Sequence, residues 1–329
     1  MREELLAHLR AAFGWQEDVA VSPGPRGALG RIWRLDVGAA SYALKEGFAE
    51  PPAQEQVAAE LELSQRARDA GVRLPGSRAD RDGRYLLTTA DGTWLRCYDW
   101  LDLRPVDLAA AGTPAQLGVL LARLHRSAPS VTAECAGGPP AAWYHRAPSP
   151  SAWAECATSG RPWAAALTER LTSVPALVAV VEPVDPAELV LCHRDLHPEN
   201  VLADGTGRLT VVDWDDVGPA SPSREVAAAL FDWYADARTA SLDAMASMYD
   251  AYVQEGGPGR VRRPADFSML VATRLNFLRL QLRIAADATA ERHHRDWAER
   301  EIDEALSILP SPRQLDDVLA LTRRRDSAR

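Results

Sequence analysis

The segment from Leu189 to Asp216 constrains the fold of this chain most strongly, because short apolar runs alternate there with polar loops. The runs ELVLC, VLA and RLTVVD have the length and composition of buried β-strands. Asp195 and Asn200 lie in the loop between the first two runs, and the third run ends at Asp213. Oxygen-bearing side chains at the ends of buried strands predict a functional polar site. The alternative is a polar hairpin whose loop residues satisfy one another.

The spacing of these side chains favours one kind of chemistry. Carboxylate and amide oxygens are the hard ligands that Mg²⁺ prefers, usually together with phosphate oxygens. Phosphoryl transfer also needs a base that orients the acceptor hydroxyl. The residues from His193 to Asn200 match the H-R-D-x-x-x-x-N pattern of a kinase catalytic loop. Asp213 then stands where such enzymes place a further metal-binding aspartate, so we predict a base and a magnesium site.

A kinase-like interpretation also requires a lysine on an N-terminal strand and a glutamate on the helix that follows it. The apolar strand YALKE supplies Lys45, in a chain that has very few lysines. We predict Glu60, in the middle of the following helix, as the partner of Lys45. Glu55 and Glu62 are the alternatives for this partner. Lys45 itself could instead be a solvated residue at a strand edge.

The predicted elements divide the chain into two parts. The first hundred residues are mainly strands and contain the helix EQVAAELELSQRARDAG. Beyond about residue 103 helices dominate, among them TPAQLGVLLARLHR with its leucines on one face. A length of 329 residues also suits two units better than one core. We predict a nucleotide-binding lobe at 1–100, a catalytic and substrate-binding lobe at 101–329, and a hinge at about 97–103.

Composition argues against several classes of partner and site. A net charge of −9 is unlike the basic face of a nucleic-acid-binding protein. No run of about 18 apolar residues is present, and the charged N-terminal helix lacks the apolar region of a signal peptide. We therefore expect a cytoplasmic protein with no nucleic-acid or membrane partner. The four cysteines form no CxxC pair, which argues against a zinc knuckle.

The motifs CHRDLHPENVL and VVDWDDVGPASP resemble the catalytic and metal loops of the aminoglycoside phosphotransferase and choline kinase superfamily. The helix LGVLLARLHR is similar to one of that family, and the resemblance extends from about residue 26 to 235. It implies an α+β, protein-kinase-like two-lobed fold, with a small antiparallel-sheet N-lobe that has one helix and a larger, mainly helical C-lobe. His197 replaces the lysine of protein kinases, and no A-P-E segment follows, so we expect a small-molecule acceptor.

The resemblance implies a role for each matched residue. Asp195 would orient the acceptor hydroxyl and accept its proton, and Asn200 and Asp213 would hold Mg²⁺. Lys45 would contact the α- and β-phosphates, with Glu60 orienting it. The backbone of the hinge would pair with the nucleotide base through Tyr98, Asp99, Trp100 and Leu101.

Several positions depart from the family pattern. Arg194 stands where small-molecule kinases usually have glycine. Ser221 stands where the family has an aspartate in a G-D-P turn, and Glu225 takes the place of a following aspartate. The phosphate loop is the weakest element, because SPGPRGALGRIW has three glycines but no G-x-G-x-x-G. This segment could bind phosphate through its backbone N–H groups, or it could be a plain turn.

We expect the acceptor to bind between the catalytic loop and the C-terminal helices, as in the family. Asp215, Asp232 and Asp236 could line that site and favour a cationic acceptor. Solvated helix faces and caps are the alternative for each of these carboxylates. A tryptophan ring of the irregular region could stack on the acceptor or pack under the loop, and the candidates are Trp143, Trp153 and Trp163.

These observations predict an ATP- and Mg²⁺-dependent phosphotransferase acting on a hydroxyl of a small molecule, with GTP as the alternative donor. The leading acceptor class is an antibiotic of the aminoglycoside or macrolide type, whose phosphorylation would confer resistance. The alternative is a metabolite kinase for an amino alcohol, amino acid or sugar. A nucleotide-binding pseudokinase is disfavoured, because Lys45, Asp195, Asn200 and Asp213 are all present.

Overall fold

The computed structural model describes residues 1–26, 30–47, 50–89, 91–131, 142–154 and 161–329. The chain forms two compact units. The first consists of Met1–Val106 and Glu199–Val217, and the second of Asp107–Pro198 and Gly218–Arg329. The chain therefore returns to the first unit for the segment that carries Asn200 and Asp213.

The first unit is built on an antiparallel sheet of six strands. These are β1 (Val19–Arg26), β2 (Gly30–Val37), β3 (Ala40–Gly47), β4 (Ser77–Arg78), β5 (Leu87–Thr88) and β6 (Trp94–Asp99). The order across the sheet is β1-β2-β3-β6-β4, and β5 also pairs with β6. The register sets Lys45 on β3 opposite Ile32 on β2 and Arg96 on β6. Two of the three glycines of the predicted phosphate loop lie in or at the start of strands, and Gly27 lies outside the described residues.

Two helices belong to this unit, α1 (Glu3–Phe13) and α2 (Gln54–Asp69). The amphipathic α1 places Leu5 and Leu9 in one core with side chains of the sheet, and these are Trp33, Leu35, Leu44, Leu87, Leu95 and Cys97. Removing so many apolar side chains from water is the main stabilising term of a small unit. The buried residues of α2 recur at helical spacing and include Glu60, so this glutamate is directed into the protein.

A smaller sheet holds the C-terminal part of the segment from Leu189 to Asp216. Its strands are β7 (Arg104–Pro105), β9 (Val201–Ala203) and β10 (Leu209–Val211), in the order β10-β9-β7. The carbonyl oxygen of Asn200 accepts a hydrogen bond of 2.9 Å from the N–H of Val212. The hairpin therefore brings Asn200 and Asp213 to the same end of this sheet.

The second unit is mainly helical. It has one two-stranded sheet, formed by β8 (Val190–Cys192) and β11 (Gly218–Ala220). Its helices are α3 (Thr113–Ser127), α4 (Pro150–Ala154), α5 (Ala164–Leu171), α6 (Val174–Val178), α7 (Pro222–Tyr234), α8 (Leu242–Gln254), α9 (Ser268–Ala286), α10 (Arg292–Ile308) and α11 (Pro312–Ser327). Helix α7 is buried along almost its whole length, and it provides the rigid support for the catalytic loop described below.

The predicted fold class is confirmed, with an antiparallel-sheet unit and a mainly helical unit. The N-terminal helix expected from the sequence is α1, and its contacts with the sheet core give the first unit a second helix. Within the described residues, no helix combines the length and apolar composition needed to cross a lipid bilayer.

Helices α3 and α8 approach each other closely at Gly118. A Cβ atom at this position would overlap the carbonyl oxygen of Met248 and lie 2.9 Å from the backbone nitrogen of Tyr252. The four leucines of α3 predicted on one face are buried around this contact, and these are Leu117, Leu120, Leu121 and Leu124. The missing side chain of Gly118 thus sets the distance between the two helices.

We expect Gly118→Ala to destabilise the protein by about 1–3 kcal/mol, because backbone atoms cannot move aside as a side chain does. In an exposed helix the same change would stabilise by up to about 1 kcal/mol. Gly112→Ala is the matched control, since its Cβ would meet only the Gln116 side chain at 3.5 Å. Urea unfolding of both variants measures the difference, and a neutral Gly118→Ala would contradict the packing argument.

Candidate active site

The loop that carries Asp195 follows β8 in the second unit and is held by α7. The carboxylate of Glu225 accepts a hydrogen bond from the backbone N–H of Arg194. The indole N–H of Trp233 donates to the carbonyl oxygen of Leu196 at 2.7 Å. The backbone is therefore fixed on both sides of Asp195, whose side chain is 39% exposed. A fixed but accessible carboxylate is what a general base needs.

The two histidines of the loop differ in their surroundings. His193 is 1% exposed, which suits a structural brace of the loop. His197 is half-buried, and its Nε2 lies 3.4 Å from Oδ2 of Asp195. The sequence predictions give His197 no role at the site, although its position two residues after the aspartate, where protein kinases place a lysine, is a signal for one.

A buried network supports the carboxylate of Glu225. His125 on α3 contacts Glu225 Oε2 through Nε2 at 2.6 Å and the hydroxyl of Tyr252 through Nδ1 at 2.7 Å. The Tyr252 hydroxyl also accepts the N–H of Gly259 at 2.8 Å. Burial acts to raise the pKa of Glu225, but the hydrogen bond and charge of His125 outweigh it and hold that pKa below its usual value. Glu225 is therefore an ionised brace.

His125, Cys192 and Glu225 also lie close enough together to be considered as metal ligands. Both ring nitrogens of His125 already have hydrogen-bond partners. The thiol of Cys192 points to the carbonyl oxygen of Ala220 at 3.5 Å, and burial raises its pKa well above the usual value. A thiol kept protonated is a poor metal ligand, so the cluster is a hydrogen-bond network.

In the first unit, Lys45 lies between two carboxylates. Its Nζ is 2.6 Å from Oδ1 of Asp213 and 2.6 Å from Oδ2 of Asp215. Burial acts to lower the pKa of Lys45, but the two carboxylates outweigh it and raise that pKa above its usual value. Lys45 is the only lysine in the 329-residue sequence.

The structure corrects the predicted partner of Glu60. Both carboxylate oxygens of Glu60 accept hydrogen bonds from the guanidinium of Arg96, one of them at 2.9 Å. Arg96 lies beside Lys45 in the sheet register, and its two-pronged donor group matches a carboxylate better than a single ammonium does. Burial raises the pKa of Glu60, and Arg96 opposes that rise. An arginine inside the apolar strand TWLRCYDW was the sequence signal for this pair, because a buried charge needs a partner.

The residues predicted to hold a metal have suitable chemistry. Asp213 adopts a left-handed backbone conformation with φ of 54°, which is uncommon for a residue other than glycine and is often found at functional sites. Its carboxylate and that of Asp215 both contact the ammonium group of Lys45. Two carboxylate oxygens therefore converge on one positive charge, as they would on a metal ion. Together with Asn200, they form the kind of donor set that Mg²⁺ prefers. Asp215 was predicted as an acceptor residue, and its carboxylate instead contacts the ammonium group of Lys45 beside that of Asp213.

Two backbone N–H groups of the predicted hinge donate hydrogen bonds to other residues of the first unit. The N–H of Asp99 donates to the carbonyl oxygen of Gly76 at 2.8 Å, and that of Trp100 donates to Ser41 at 3.0 Å. In the part of the chain that the structure describes, no backbone carbonyl accepts the N–H of Leu101. Of the four predicted base-pairing residues, Leu101 therefore offers the clearest donor.

The other predicted acceptor residues have structural partners. Asp232 accepts a hydrogen bond of 2.6 Å from Arg274, which ties α7 to α9. Asp236 accepts the backbone N–H groups of Arg238 and Thr239, both at 2.7 Å, and so closes a turn. The contacts of these carboxylates do not mark an acceptor site. Of the three tryptophans considered above, Trp153 and Trp163 are buried and Trp143 is half-buried.

Comparison with known proteins gives one family match. The sequence profile of the phosphotransferase enzyme family (APH) matches residues 20–264. No curated protein sequence matches the chain.

Several solved structures are similar along nearly the whole chain. A spectinomycin phosphotransferase in complex with ADP and spectinomycin has a TM-score of 0.62 at 15% identity, with 92% of this chain and 94% of that chain covered. An amicoumacin kinase in complex with AMP-PNP, Ca²⁺ and Ami has a TM-score of 0.63 at 17% identity, with 96% and 97% covered. A microcompartment-associated aminopropanol kinase has a TM-score of 0.63 at 19% identity, with 92% and 95% covered. The predicted kinase-like fold is therefore confirmed.

The lowered pKa of Glu225 predicts how stability depends on pH. Ionised Glu225 contributes stability that is fully present above its usual pKa of 4.5 and is lost as the pH falls through the lower pKa of the folded state. The wild type should therefore lose more stability between pH 7 and pH 3 than Glu225→Gln, which should be less stable at pH 7. Urea unfolding midpoints at several pH values measure this. Glu304→Gln, at an exposed site on α10, leaves the Glu225 network intact and should follow the wild type, and equal acid dependence in all three proteins would contradict the assignment.

Proposed function

Since the chain belongs to the phosphotransferase enzyme family, we propose that it transfers the γ-phosphoryl group of a nucleoside triphosphate to a hydroxyl group of a small molecule. The observation that carries this proposal is the fixed backbone on both sides of Asp195, with its side chain accessible. The chain is a small-molecule phosphotransferase with a kinase-like fold. Its donor, metal and acceptor are the finer parts of the proposal.

Asp195 would orient the acceptor hydroxyl and take its proton. Phosphoryl transfer depends mainly on positioning and on charge stabilisation, so the rigid support of this carboxylate by α7 is suited to the task. His197, at 3.4 Å from the same carboxylate, would hold its orientation. Neither of these roles requires the histidine to act as the base.

Asn200, Asp213 and Asp215 are the residues that would hold Mg²⁺, and the metal would neutralise charge on the phosphates. In the present structure Lys45 binds the same two carboxylates. With a nucleotide bound, its ammonium group would turn to the phosphate oxygens, which offer the negative charge that it now finds on Asp213 and Asp215. The buried pair of Glu60 and Arg96 would keep α2 and β6 in place beside Lys45.

We propose ATP as the donor, with GTP as the alternative, and the N–H of Leu101 as one donor to the base. The spectinomycin phosphotransferase and the amicoumacin kinase are in complex with ADP and AMP-PNP, which supports an adenine nucleotide. We also propose a cytoplasmic location, because that is where a nucleoside triphosphate donor is available.

The acceptor we propose is an antibiotic, with resistance as the outcome of its phosphorylation. Two of the similar structures are named for kinases of spectinomycin and amicoumacin. The third is named for an aminopropanol kinase, and it supports the second candidate, a metabolite kinase for an amino alcohol. The net charge of −9 suits a cationic acceptor of either class.

The test is acceptor-dependent ADP release by the wild type and by Asp195→Ala, over a panel of aminoglycosides, macrolides, amino alcohols, amino acids and sugars, with ATP and with GTP. We expect Asp195→Ala to lose about 10²–10⁴-fold in kcat while nucleotide binding is retained, because the base acts only in the chemical step. Asp243→Ala, which removes an exposed carboxylate from the same unit, is the control. Wild-type turnover in the variant would exclude Asp195 as the base.

Lys45 can be tested without an acceptor, because it is the only lysine. An amine-reactive reagent attacks the unprotonated amine, so the raised pKa of Lys45 predicts slow modification that MgATP slows further, by about tenfold or more. Asp215→Asn should speed the reaction of the free protein, because it removes one of the two carboxylates that keep Lys45 protonated. Mass spectrometry of the Lys45 peptide gives the rates, with the N-terminal amine as internal control. A rate that MgATP leaves unchanged would remove Lys45 from the nucleotide site.

A further inference from the structure

Arg194, directly before Asp195, has an unfavourable backbone conformation. Its φ is 67°, and within the described residues the other non-glycine residue with positive φ is Asp213. Glycine adopts this conformation at no steric cost, whereas a residue with a Cβ atom is strained there. Strain of this kind persists where the side chain contributes something that glycine cannot. The contacts of the Arg194 side chain show what it contributes.

The guanidinium of Arg194 lies over the ring of Tyr144, with its Cζ 4.0 Å from the ring centroid. This distance is well inside the range of a cation–π contact. The side chain reaches the ring by crossing Gly218 on β11, where a Cβ atom would overlap the guanidinium. We call the set Arg194, Gly218 and Tyr144 the Arg194 clamp.

Tyr144 belongs to a short segment that is itself anchored. The segment contains the 3-10 turn Ala142–Tyr144. The side-chain amide of Asn276 on α9 donates to the carbonyl oxygens of Trp143 at 3.0 Å and Arg146 at 2.8 Å. The backbone of the segment is thus bound to α9, and the rings of Trp143 and Tyr144 are half-buried. Half-buried aromatic rings beside a catalytic loop are suited to holding a small organic molecule.

We propose that Arg194 is a positioning residue, which sets the place of the segment 142–146 against the catalytic loop and so aligns the acceptor hydroxyl with Asp195. The inference rests on the proposed function and adds to it a specificity element: an acceptor with an apolar or ring face that packs on Trp143 and Tyr144. Position 194 keeps an arginine despite the strained backbone, because a glycine there would have no side chain to pass Gly218 and contact Tyr144.

The test compares Arg194→Gly with Gly218→Ala. The first removes the guanidinium and relieves the strained φ, and the second leaves Arg194 in place but displaces its guanidinium. We expect both to lower kcat/KM for the acceptor by about 10–100-fold, through a higher KM because the rings are displaced and a lower kcat because the hydroxyl is misaligned, since small misplacement of a reactant has effects of this size. The Kd for MgATP should stay within twofold of the wild type, and the Tm of Arg194→Gly should not fall. Gly205→Ala, with open space around its Cβ, is the matched control.

Other outcomes would overturn the inference. Acceptor kcat/KM within twofold of the wild type in both variants would exclude a positioning role. A lowered Tm with unchanged acceptor kcat and KM would show that the contact is only structural. The clamp itself is tested without turnover by a cycle of Arg194→Gly and Tyr144→Leu, whose Tm changes should be non-additive by roughly 1–3 °C; additive changes would exclude it. Absence of turnover by the wild type would instead overturn the proposed function, and with it the role of the clamp in catalysis.

Discussion

The hydrogen bond between the buried carboxylate of Glu225 and the backbone N–H of Arg194 is the interaction on which the catalytic loop depends. A buried carboxylate is costly unless its oxygens are paired, and here His125 pairs with the second oxygen. Tyr252 then links His125 to the backbone at Gly259. One charge thus joins α3, α7 and α8 to the loop, so contacts with the core of the second unit hold the backbone beside Asp195.

The first unit distributes its charges by a similar rule. Each buried cation has a carboxylate partner, Arg96 with Glu60 and Lys45 with Asp213 and Asp215. The two ion pairs differ in their exposure to solvent. The guanidinium and carboxylate of the first pair are almost completely buried, and separating them would leave uncompensated charges. Lys45 is 17% exposed, and its carboxylate partners Asp213 and Asp215 are themselves 45% and 32% exposed. The structure therefore distinguishes an almost completely buried charge pair from a partly exposed lysine, which is the residue that we propose for the nucleotide phosphates.

Much of the site was predictable because its residues follow one another along the chain. The spacing of Asp195, Asn200 and Asp213 places them at strand ends, and the hairpin of β9 and β10 follows from the same apolar runs. The choice of Arg96 over Lys45 as the partner of Glu60 was not predictable from helix spacing, because it depends on which side chain of two adjacent strands reaches α2. For the same reason the sequence pattern suggested that Asp232 and Asp236 could contact an acceptor. In the structure Asp232 accepts a hydrogen bond from Arg274, and Asp236 accepts backbone N–H groups of a tight turn.

What the sequence by itself determined is the order of elements, the apolar faces that form both cores and the type of chemistry, since these depend on local spacing and residue type. Only the tertiary structure decided the partners of the charges. It also explained Arg194, which departs from the family pattern in the sequence. Its guanidinium crosses Gly218 to reach Tyr144, a contact between residues 50 positions apart in the chain. Contacts over such separations depend on how the strands and helices pack, and no local pattern records that packing.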